Sequence, residues 1–330
     1  NTSFFHGGGI YNDGIVNIID SAITYNEASD AIAYVRGGGI YNKGTVSIEN
    51  SEVSYNTVTE SNGNAFGGGI FTMEYSALDV LNSTIANNTA SGSVDGDGGG
   101  VYVYDATAEV NLQFVTITQN TAEYGAGIMG PATLKGTLIT ANTASGLLSS
   151  DPDCYGTYTS TDGYNVVQNY STGCLGLDTD ATNLLNVEAG LDTEMTINPD
   201  GPNYFAFSDI VHSSAVNVVP QAVCAAVLYI STTDQLHQPR VGFCDVGAFE
   251  RQDSIAPTIT LTQNTSEYNT IECLVGTYSE PGATVADDYD LVDDISGSLE
   301  IARTVDSSVV GEYAIAYSAE DLSTNVDRAT

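Results

Sequence analysis

The densest group of side chains able to bind a ligand is an acidic run near the end of the chain. It places five aspartates within eight residues: Asp287, Asp288, Asp290, Asp293 and Asp294. Crowded carboxylates repel one another, and Ca²⁺ relieves that repulsion by taking about 6–8 oxygen ligands from such groups. The run therefore predicts a candidate Ca²⁺ site, although its spacing is not that of an EF-hand loop. The alternative is an acidic loop that only water surrounds.

Side chains suited to catalysis are scarce in the first 250 residues. A polysaccharide lyase needs a base, commonly cationic, beside the carbon that loses its proton. The available cations are Arg36, Lys43, Lys135 and Arg240. A glycosidase needs two carboxyl groups flanking one bond, and the densest acidic pair is Asp95 and Asp97. The histidines are scattered: His6, His212 and His237. We therefore predict a protein without enzymatic activity; a polysaccharide lyase, a hydrolase or a glycan-binding module is the alternative.

The cysteines indicate the compartment. None of the five belongs to a C-x-x-C pair, and histidine is rare, so a zinc site is not expected. Cys154 and Cys174 are separated by 20 residues, as are Cys224 and Cys244, and this spacing predicts two local disulfides. Disulfides are typical of oxidising, extracellular surroundings. Cys273 is left over, either buried as a free thiol or bonded to another chain.

The charge excludes several partners. Seven Lys and Arg residues stand against 42 Asp and Glu residues, so the formal net charge is −35. Such a surface repels nucleic acids and anionic membranes, because binding to either depends on contacts from Lys and Arg to phosphate. The sequence has no apolar run of about 18 residues, so membrane insertion is not expected. Divalent cations would be attracted to this surface.

A repeat organises the first half of the chain. Gly-rich segments begin at Gly7, Gly37, Gly67, Gly98 and Gly125, in steps of 30, 30, 31 and 27 residues. An aromatic residue usually follows each segment, and short alternating strands come next, without a helical period. Stacking one coil per repeat, so that equivalent strands pair in parallel, buries the recurring Ile, Val and Leu side chains. The second strand of each repeat ends in an asparagine suited to stacking: Asn26, Asn56, Asn88, Asn120 and Asn142.

The motif G-G-G-I-Y-N-x-G, followed by N-S-x-(I/V) and N-x-(T/A), resembles the repeat of the polymorphic outer-membrane-protein type. That family forms pectate-lyase-like right-handed parallel β-helices in large bacterial surface proteins. The resemblance covers residues 7–145. Residues 153–174 are similar to a cysteine-bracketed late coil of the family. Residues 224–250 are similar to its closing motif, with Leu236 and His237 in place of the usual Arg-Gly.

The composition changes after Arg251. Alternating strands and regularly spaced turns in the remaining residues favour a small β-sandwich. The segments 280–287, 293–296 and 309–321 resemble those of a bacterial surface immunoglobulin-like domain. The resemblance covers residues 253–330 and implies a stalk or spacer. We therefore predict an all-β chain with a parallel β-helix over residues 1–251 and an immunoglobulin-like β-sandwich over residues 252–330.

Both ends of the predicted fold invite a partner. Only residues 1–6 precede the first Gly triplet, too few for a capping helix, and the final strand of the sandwich looks incomplete. We hypothesise head-to-tail filaments in which Thr2, Ser3, Phe4 and Phe5 add a strand to a neighbouring copy. A fragment of a longer adhesin is the alternative. The predicted function is thus a structural or adhesive role at the cell surface, with partners that are copies of itself, other surface domains or glycans.

Overall fold

The structure is a computed structural model, and its two compact units span Asn1–Arg251 and Gln252–Thr330. It describes residues 1–3, 5–30, 34–146, 151–160, 163–208, 213–227, 233–253, 255–262, 274, 278–287, 295–302, 305–321 and 325–329. The first unit is a parallel β-solenoid and the second contains the immunoglobulin-like region, which confirms the predicted fold class. No helix in these described ranges is long and apolar enough to cross a membrane.

Short strands build the solenoid. They are β1 (Thr2–Ser3), β2 (Ile10–Asn12), β3 (Ile15–Ile19), β4 (Ala22–Thr24), β5 (Glu27–Asp30), β6 (Val35–Arg36), β7 (Ile40–Asn42), β8 (Thr45–Glu49), β9 (Glu52–Ser54), β10 (Thr57–Glu60), β11 (Asn64–Phe66), β12 (Ile70–Thr72), β13 (Ala77–Leu81), β14 (Thr84–Ala86), β15 (Thr89–Gly92), β16 (Asp95–Asp97), β17 (Val101–Val103), β18 (Glu109–Gln113), β19 (Thr116–Thr118), β20 (Thr121–Ala122), β21 (Ile128–Met129), β22 (Ala132–Lys135), β23 (Leu138–Thr140), β24 (Thr143–Ala144), β25 (Cys154–Thr159), β26 (Val166–Val167), β27 (Cys174–Leu175) and β28 (Leu184–Leu185). A 3-10 turn at Leu177–Thr179 and helix α1 (Gln221–Val227) accompany them.

Equivalent strands of successive coils pair in parallel and form five ladders. Sheet 1 holds β2, β7, β12, β17, β21 and β25; sheet 2 holds β3, β8, β13, β18, β22 and β25. Sheet 3 runs from β4 through β9, β14, β19, β23 and β26 to β28; sheet 4 holds β1, β5, β10, β15, β20 and β24; sheet 5 holds β6, β11 and β16. The long strand β25 belongs to two ladders and joins sheets 1 and 2.

The register follows the sequence repeat. Ile40 pairs with Ile70, which pairs with Val101, and all three are fully buried in the main core. Gly triplets turn the corner between sheets 5 and 1. The first glycine of each is left-handed, as at Gly67 with φ of 69°, a conformation that a Cβ disfavours. The periodic apolar residues and the corner glycines therefore specify the same coil.

An asparagine ladder runs along the turn between sheets 3 and 4. Each Nδ2 donates to the Oδ1 of the next coil at 2.9–3.0 Å. The same oxygen also accepts a backbone N–H at 3.0 Å. The ladder comprises the predicted Asn26, Asn56, Asn88, Asn120 and Asn142. It ends on the buried carboxylate of Asp153, which accepts from Asn142 Nδ2 at 2.8 Å. These bonds satisfy amides that would otherwise be buried without partners.

The described residues of the segment 186–250 form a strap that packs on the outer face of sheet 3 at strands β9, β14 and β19. Asn203 N donates to Glu52 Oε2 at 2.8 Å, and Thr84 Oγ1 contacts Gln235 Oε1 at 2.6 Å. The strap also packs apolar side chains such as Val246 against Phe114. Strands β9, β14 and β19 of sheet 3 are consequently buried on both faces, which explains the buried polar side chains on their outer side, whereas Ala22 of β4 is exposed.

The second unit contains antiparallel strands. They are β29 (Thr258–Leu261), β30 (Ala283–Ala286), β31 (Glu300–Ala302), β32 (Ala316–Glu320) and β33 (Val326–Ala329), with a 3-10 turn at Ser296–Ser298. β29 pairs with β30, and β32 pairs with both β31 and β33. Val285, Ile295 and Ala319 form its small core. The sequence left open whether the last strand was short, removed or supplied by another chain; the structure places a short strand, β33, there.

Candidate functional site

Three aspartates meet in the second unit. Asp253 precedes β29, Asp287 directly follows β30, and Asp321 directly follows β32. Each offers a carboxylate oxygen, and the three oxygens lie within 4.8 Å of one another. Strand ends bring them together although they are far apart in sequence. We call this group the aspartate triad.

Hydrogen bonds hold the triad in place. Asn325 donates to Asp321 twice, from its backbone N to Oδ1 at 2.7 Å and from Nδ2 to Oδ2 at 2.9 Å. The Ile255 N–H donates to Asp253 Oδ1 at 3.0 Å. Asp321 is only 5% exposed, and one oxygen each of Asp253 and Asp287 is inaccessible to solvent. Hydrogen bonds from Ile255 and Asn325 therefore hold the carboxylates of Asp253 and Asp321.

The donor set of the triad suits a hard divalent cation. All its ligand atoms are carboxylate oxygens, which Ca²⁺ binds at about 2.3–2.6 Å. Two oxygens on opposite sides of one such ion are about 5 Å apart, close to the observed upper limit of 4.8 Å. Three negative charges at this separation repel one another, and a cation would remove that repulsion.

Of the ligands predicted from the sequence, the triad contains Asp287. Asp288, Asp290, Asp293 and Asp294 lie outside the described residues, so their part of the Ca²⁺ prediction stays untested. Asp253 and Asp321 were not predicted as ligands. Their positions could have indicated them, because Asp321 follows a segment that reads as a strand and Asp253 precedes one.

Both predicted disulfides are present. Cys154 and Cys174 are bonded, as are Cys224 and Cys244, with Cα–Cα distances of 5.4 Å and 6.5 Å. The first joins neighbouring coils through β25 and β27, and the second lies within the strap. Cys273 lies outside the described residues.

The predicted assembly segment is partly described. Thr2 and Ser3 form β1 and pair in parallel with Glu27 and Ala28 of β5, while Phe5 is 54% exposed. Phe4 lies outside the described residues. Donation of this segment to a neighbouring sandwich would thus require Thr2 and Ser3 to leave β5. Strand donation stays a prediction.

Three of the four candidate catalytic cations make ion pairs or contacts with an aromatic ring. Arg240 is buried in the strap with Glu250 at 2.7 Å, and Lys43 forms an exposed ion pair with Asp13 at 3.0 Å. The guanidinium of Arg36 lies 5.2 Å from the ring centre of Phe71.

One acidic neighbour was missed. Asp97 pairs with Tyr124 of the next coil, which brings Glu123 towards the Asp95 and Asp97 carboxyl groups. Burial, followed by the charges of Asp95 and Glu123, raises the pKa of Asp97 to about 7. Glu123 lies one residue before Tyr124, the position equivalent to Asp97 in the next coil. The repeat alone therefore does not place Glu123 beside Asp95 and Asp97.

Comparison with known proteins assigns a domain family to the second unit. Residues 261–330 match the family model described as bacterial surface protein, Ig-like domain. No curated protein and no solved structure matches the chain. The resemblance of residues 7–145 to the polymorphic outer-membrane-protein type therefore stays a prediction. The matched domain and the two disulfides indicate that this chain, a β-solenoid followed by a bacterial surface immunoglobulin-like domain, is a surface or secreted protein.

Proposed function

We propose that the protein is a non-catalytic structural or adhesive component of the bacterial surface. The solenoid serves as a stiff spacer, and its first coil is joined to a further layer of strands. That layer belongs to an earlier coil of a longer chain, to another copy of the chain or to another surface domain. This proposal rests on the strand edges that are unpaired among the described residues, and on the exposed apolar side chains, at the open end of the first coil.

The strand edges of that coil support a joint. β2, β3 and β4 end sheets 1, 2 and 3, and each pairs with a single neighbour in the part of the chain that the structure describes. Open strand edges pair readily with a further strand. The proposed contact is heterologous, so repeated head-to-tail contacts would give a filament.

The apolar side chains of the first coil support the same joint. Ile15 is 78% exposed and Ile19 is 54% exposed. Ile10 is half-buried, whereas Ile40, its partner in the next coil, is fully buried. A further coil stacked on this end would bury Ile10 and partly cover Ile15 and Ile19, whose partners Thr45 and Glu49 in the next coil are half-buried. Burial of apolar surface stabilises association by about 25 cal/mol per Å².

Gly14 offers a sharp test of the joint. At the equivalent position of the next coil, a Cβ on Gly44 would lie 2.1 Å from Gly14 O, whereas a Cβ on Gly14 would meet nothing within 4 Å. Gly14→Ala should therefore leave the isolated chain folded but prevent another coil from stacking in the same register. We expect regular fibres of the unmodified chain in negative-stain electron microscopy and their loss in Gly14→Ala.

The matched control is Gly297→Ala. A Cβ on Gly297 also meets nothing within 4 Å, but this residue belongs to the second unit and not to the first coil. Its fibres should match those of the unmodified chain. Isolated rods from the unmodified chain, or fibres that survive Gly14→Ala, would contradict assembly through the first coil.

We further propose that the aspartate triad holds Ca²⁺ and stiffens the second unit. A ligand present at about one hundred times its Kd stabilises the folded state by about 2.7 kcal/mol. Excess Ca²⁺ should therefore raise the Tm of the second unit in the full chain, and chelation should reverse the rise. Calorimetry would measure both changes.

Asp287→Asn should remove most of that rise, because it deletes one of three charged ligands. Glu300→Gln is the control, since Glu300 is an exposed carboxylate of β31 outside the triad. A Ca²⁺-dependent rise of equal size in Asp287→Asn and the unmodified chain would show that the triad is not the binding site.

A further inference from the structure

Aromatic rings stack along the outside of sheet 1. The ring centres of Tyr11 and Tyr41 are 5.0 Å apart, those of Tyr41 and Phe71 are 5.4 Å apart, and those of Phe71 and Tyr102 are 5.4 Å apart. Neighbouring planes in this row differ by at most 17°. The parallel register explains the row, because each ring occupies the same position of its coil.

Two further aromatic rings lie beside this row and are exposed to solvent. Tyr34 and Tyr104 are 55% and 47% exposed, while Phe71 beneath them is fully buried. The guanidinium carbon of Arg36 lies 5.7 Å from the ring centre of Tyr34 and 5.8 Å from that of Tyr104. Two exposed rings thus flank one cation above an apolar floor. We call Tyr34, Arg36, Phe71, Asp97, Tyr102 and Tyr104 the aromatic corner.

Polar groups of the aromatic corner retain bonding capacity. Asp97 is 7% exposed, and its Oδ1 makes no hydrogen bond within the described residues. The Nε of Arg36 is likewise buried without an acceptor there. Burial, followed by the charge of Asp97, raises the pKa of the Tyr102 hydroxyl to about 12. The charge of Asp95 adds to this rise and that of Arg36 opposes it. Buried polar atoms are usually satisfied, so these point to a ligand that supplies their partners.

We propose that the aromatic corner binds a neutral glycan, with hexose rings packed against Tyr34 and Tyr104. A pyranose has an apolar C–H face and a polar rim. The negative face of an aromatic ring attracts the C–H groups, and the rim hydroxyls both donate to Asp97 and accept from Arg36. A mostly apolar surface with a few convergent polar groups is typical of small-ligand sites.

The charge of the protein selects the class of glycan. A net charge of −35 opposes an anionic polysaccharide, and Asp95 adds a local negative charge at the aromatic corner. A neutral hexose polymer carries no such penalty. The aromatic corner contains none of the residues named for the proposed joint, and the inference stands whether or not the chain forms fibres.

Affinity electrophoresis in native gels tests the inference, because so acidic a chain migrates strongly. The probes are neutral glucans, mannans and galactans, with polygalacturonate as the anionic comparison. We expect at least one neutral polymer to retard the full chain. Tyr104→Ala should weaken that binding about tenfold, the scale of one lost stacking contact. Tyr104→Phe should stay within about threefold, since it keeps the ring.

The matched control is Tyr75→Ala, because Tyr75 is 83% exposed on the same unit but belongs to no ring pair among the described residues. It should bind as the unmodified chain does. Circular dichroism verifies that each variant is folded. Absence of retardation by every neutral polymer, retardation by polygalacturonate alone, or equal binding by Tyr104→Ala would overturn the proposal.

Discussion

Arg240→Ala should lower the free energy of unfolding by about 3–5 kcal/mol, because it leaves buried carboxylates without their cation. Arg240 is 5% exposed and donates to Glu250 Oε2 at 2.7 Å and to Gly247 O at 2.8 Å. Its guanidinium carbon also lies 4.4 Å from the ring centre of Phe114 in the solenoid. The residue therefore holds the strap together and holds it against sheet 3.

The carboxylates around Arg240 make the loss severe. Asp245 is fully buried and Glu250 is 2% exposed. Burial, followed by the charge of Asp245, raises the pKa of Glu250. Without the guanidinium, Glu250 would have to take up a proton or draw water into the core. The strap should then detach and expose the outer face of sheet 3 to protease.

Chemical denaturation and limited proteolysis of the full chain would measure this effect. Lys43→Ala is the control, because the exposed ion pair between Lys43 and Asp13 should contribute at most about 1 kcal/mol. The double variant Arg240→Met with Glu250→Leu should recover much of the loss, since it removes both charges. Equal stability of Arg240→Ala and Lys43→Ala would show that the strap is held by other contacts.

Gly68→Ala should destabilise the solenoid by about 3 kcal/mol or more, the upper end of the cost of overpacking. A Cβ on Gly68 would lie 2.5 Å from Gly99 O of the next coil and 2.5 Å from the carbonyl carbon of Thr89. Both are backbone atoms: Gly99 O accepts a hydrogen bond from Gly69 N, and Thr89 pairs with Thr57 in sheet 4. Neither can therefore move without disturbing the contacts between coils. The second glycine of the triplet is therefore required by the close approach of coils.

Gly14→Ala provides the comparison for thermal unfolding of the isolated chain. A Cβ there meets nothing within 4 Å, so the Tm should change little. Equal Tm values for Gly68→Ala and Gly14→Ala would contradict the close stacking of coils at the glycine corner.

Several features of this protein could be predicted from local sequence. Steps of 30, 30 and 31 residues between Gly triplets correspond directly to the observed pairing of Ile10, Ile40, Ile70 and Val101. The asparagine ladder was predictable for the same reason, whereas the disulfides were predictable from the 20-residue separation within each cysteine pair. In a solenoid each coil contacts its neighbours, so a contact between coils appears as a repeat in the sequence.

The candidate sites depend on contacts that the repeat does not encode. Asp253, Asp287 and Asp321 meet because separate strands of the second unit end at one place. The strap reaches sheet 3 through pairs such as Asn203 and Glu52, which are 151 residues apart. Neither spacing has a periodic signal, so only the folded chain reveals them.

The sequence by itself determined the coil, its register, its corner glycines and the compartment that its cysteines indicate, because all of these follow from local pattern and composition. Tertiary structure alone decided which carboxylates converge, which cations are held in structural pairs and which rings remain exposed. Those outcomes depend on burial and on distances between segments remote in sequence. Tyr34 and Tyr104 illustrate the difference, since both are ordinary tyrosines in the sequence and flank Arg36 only in the fold.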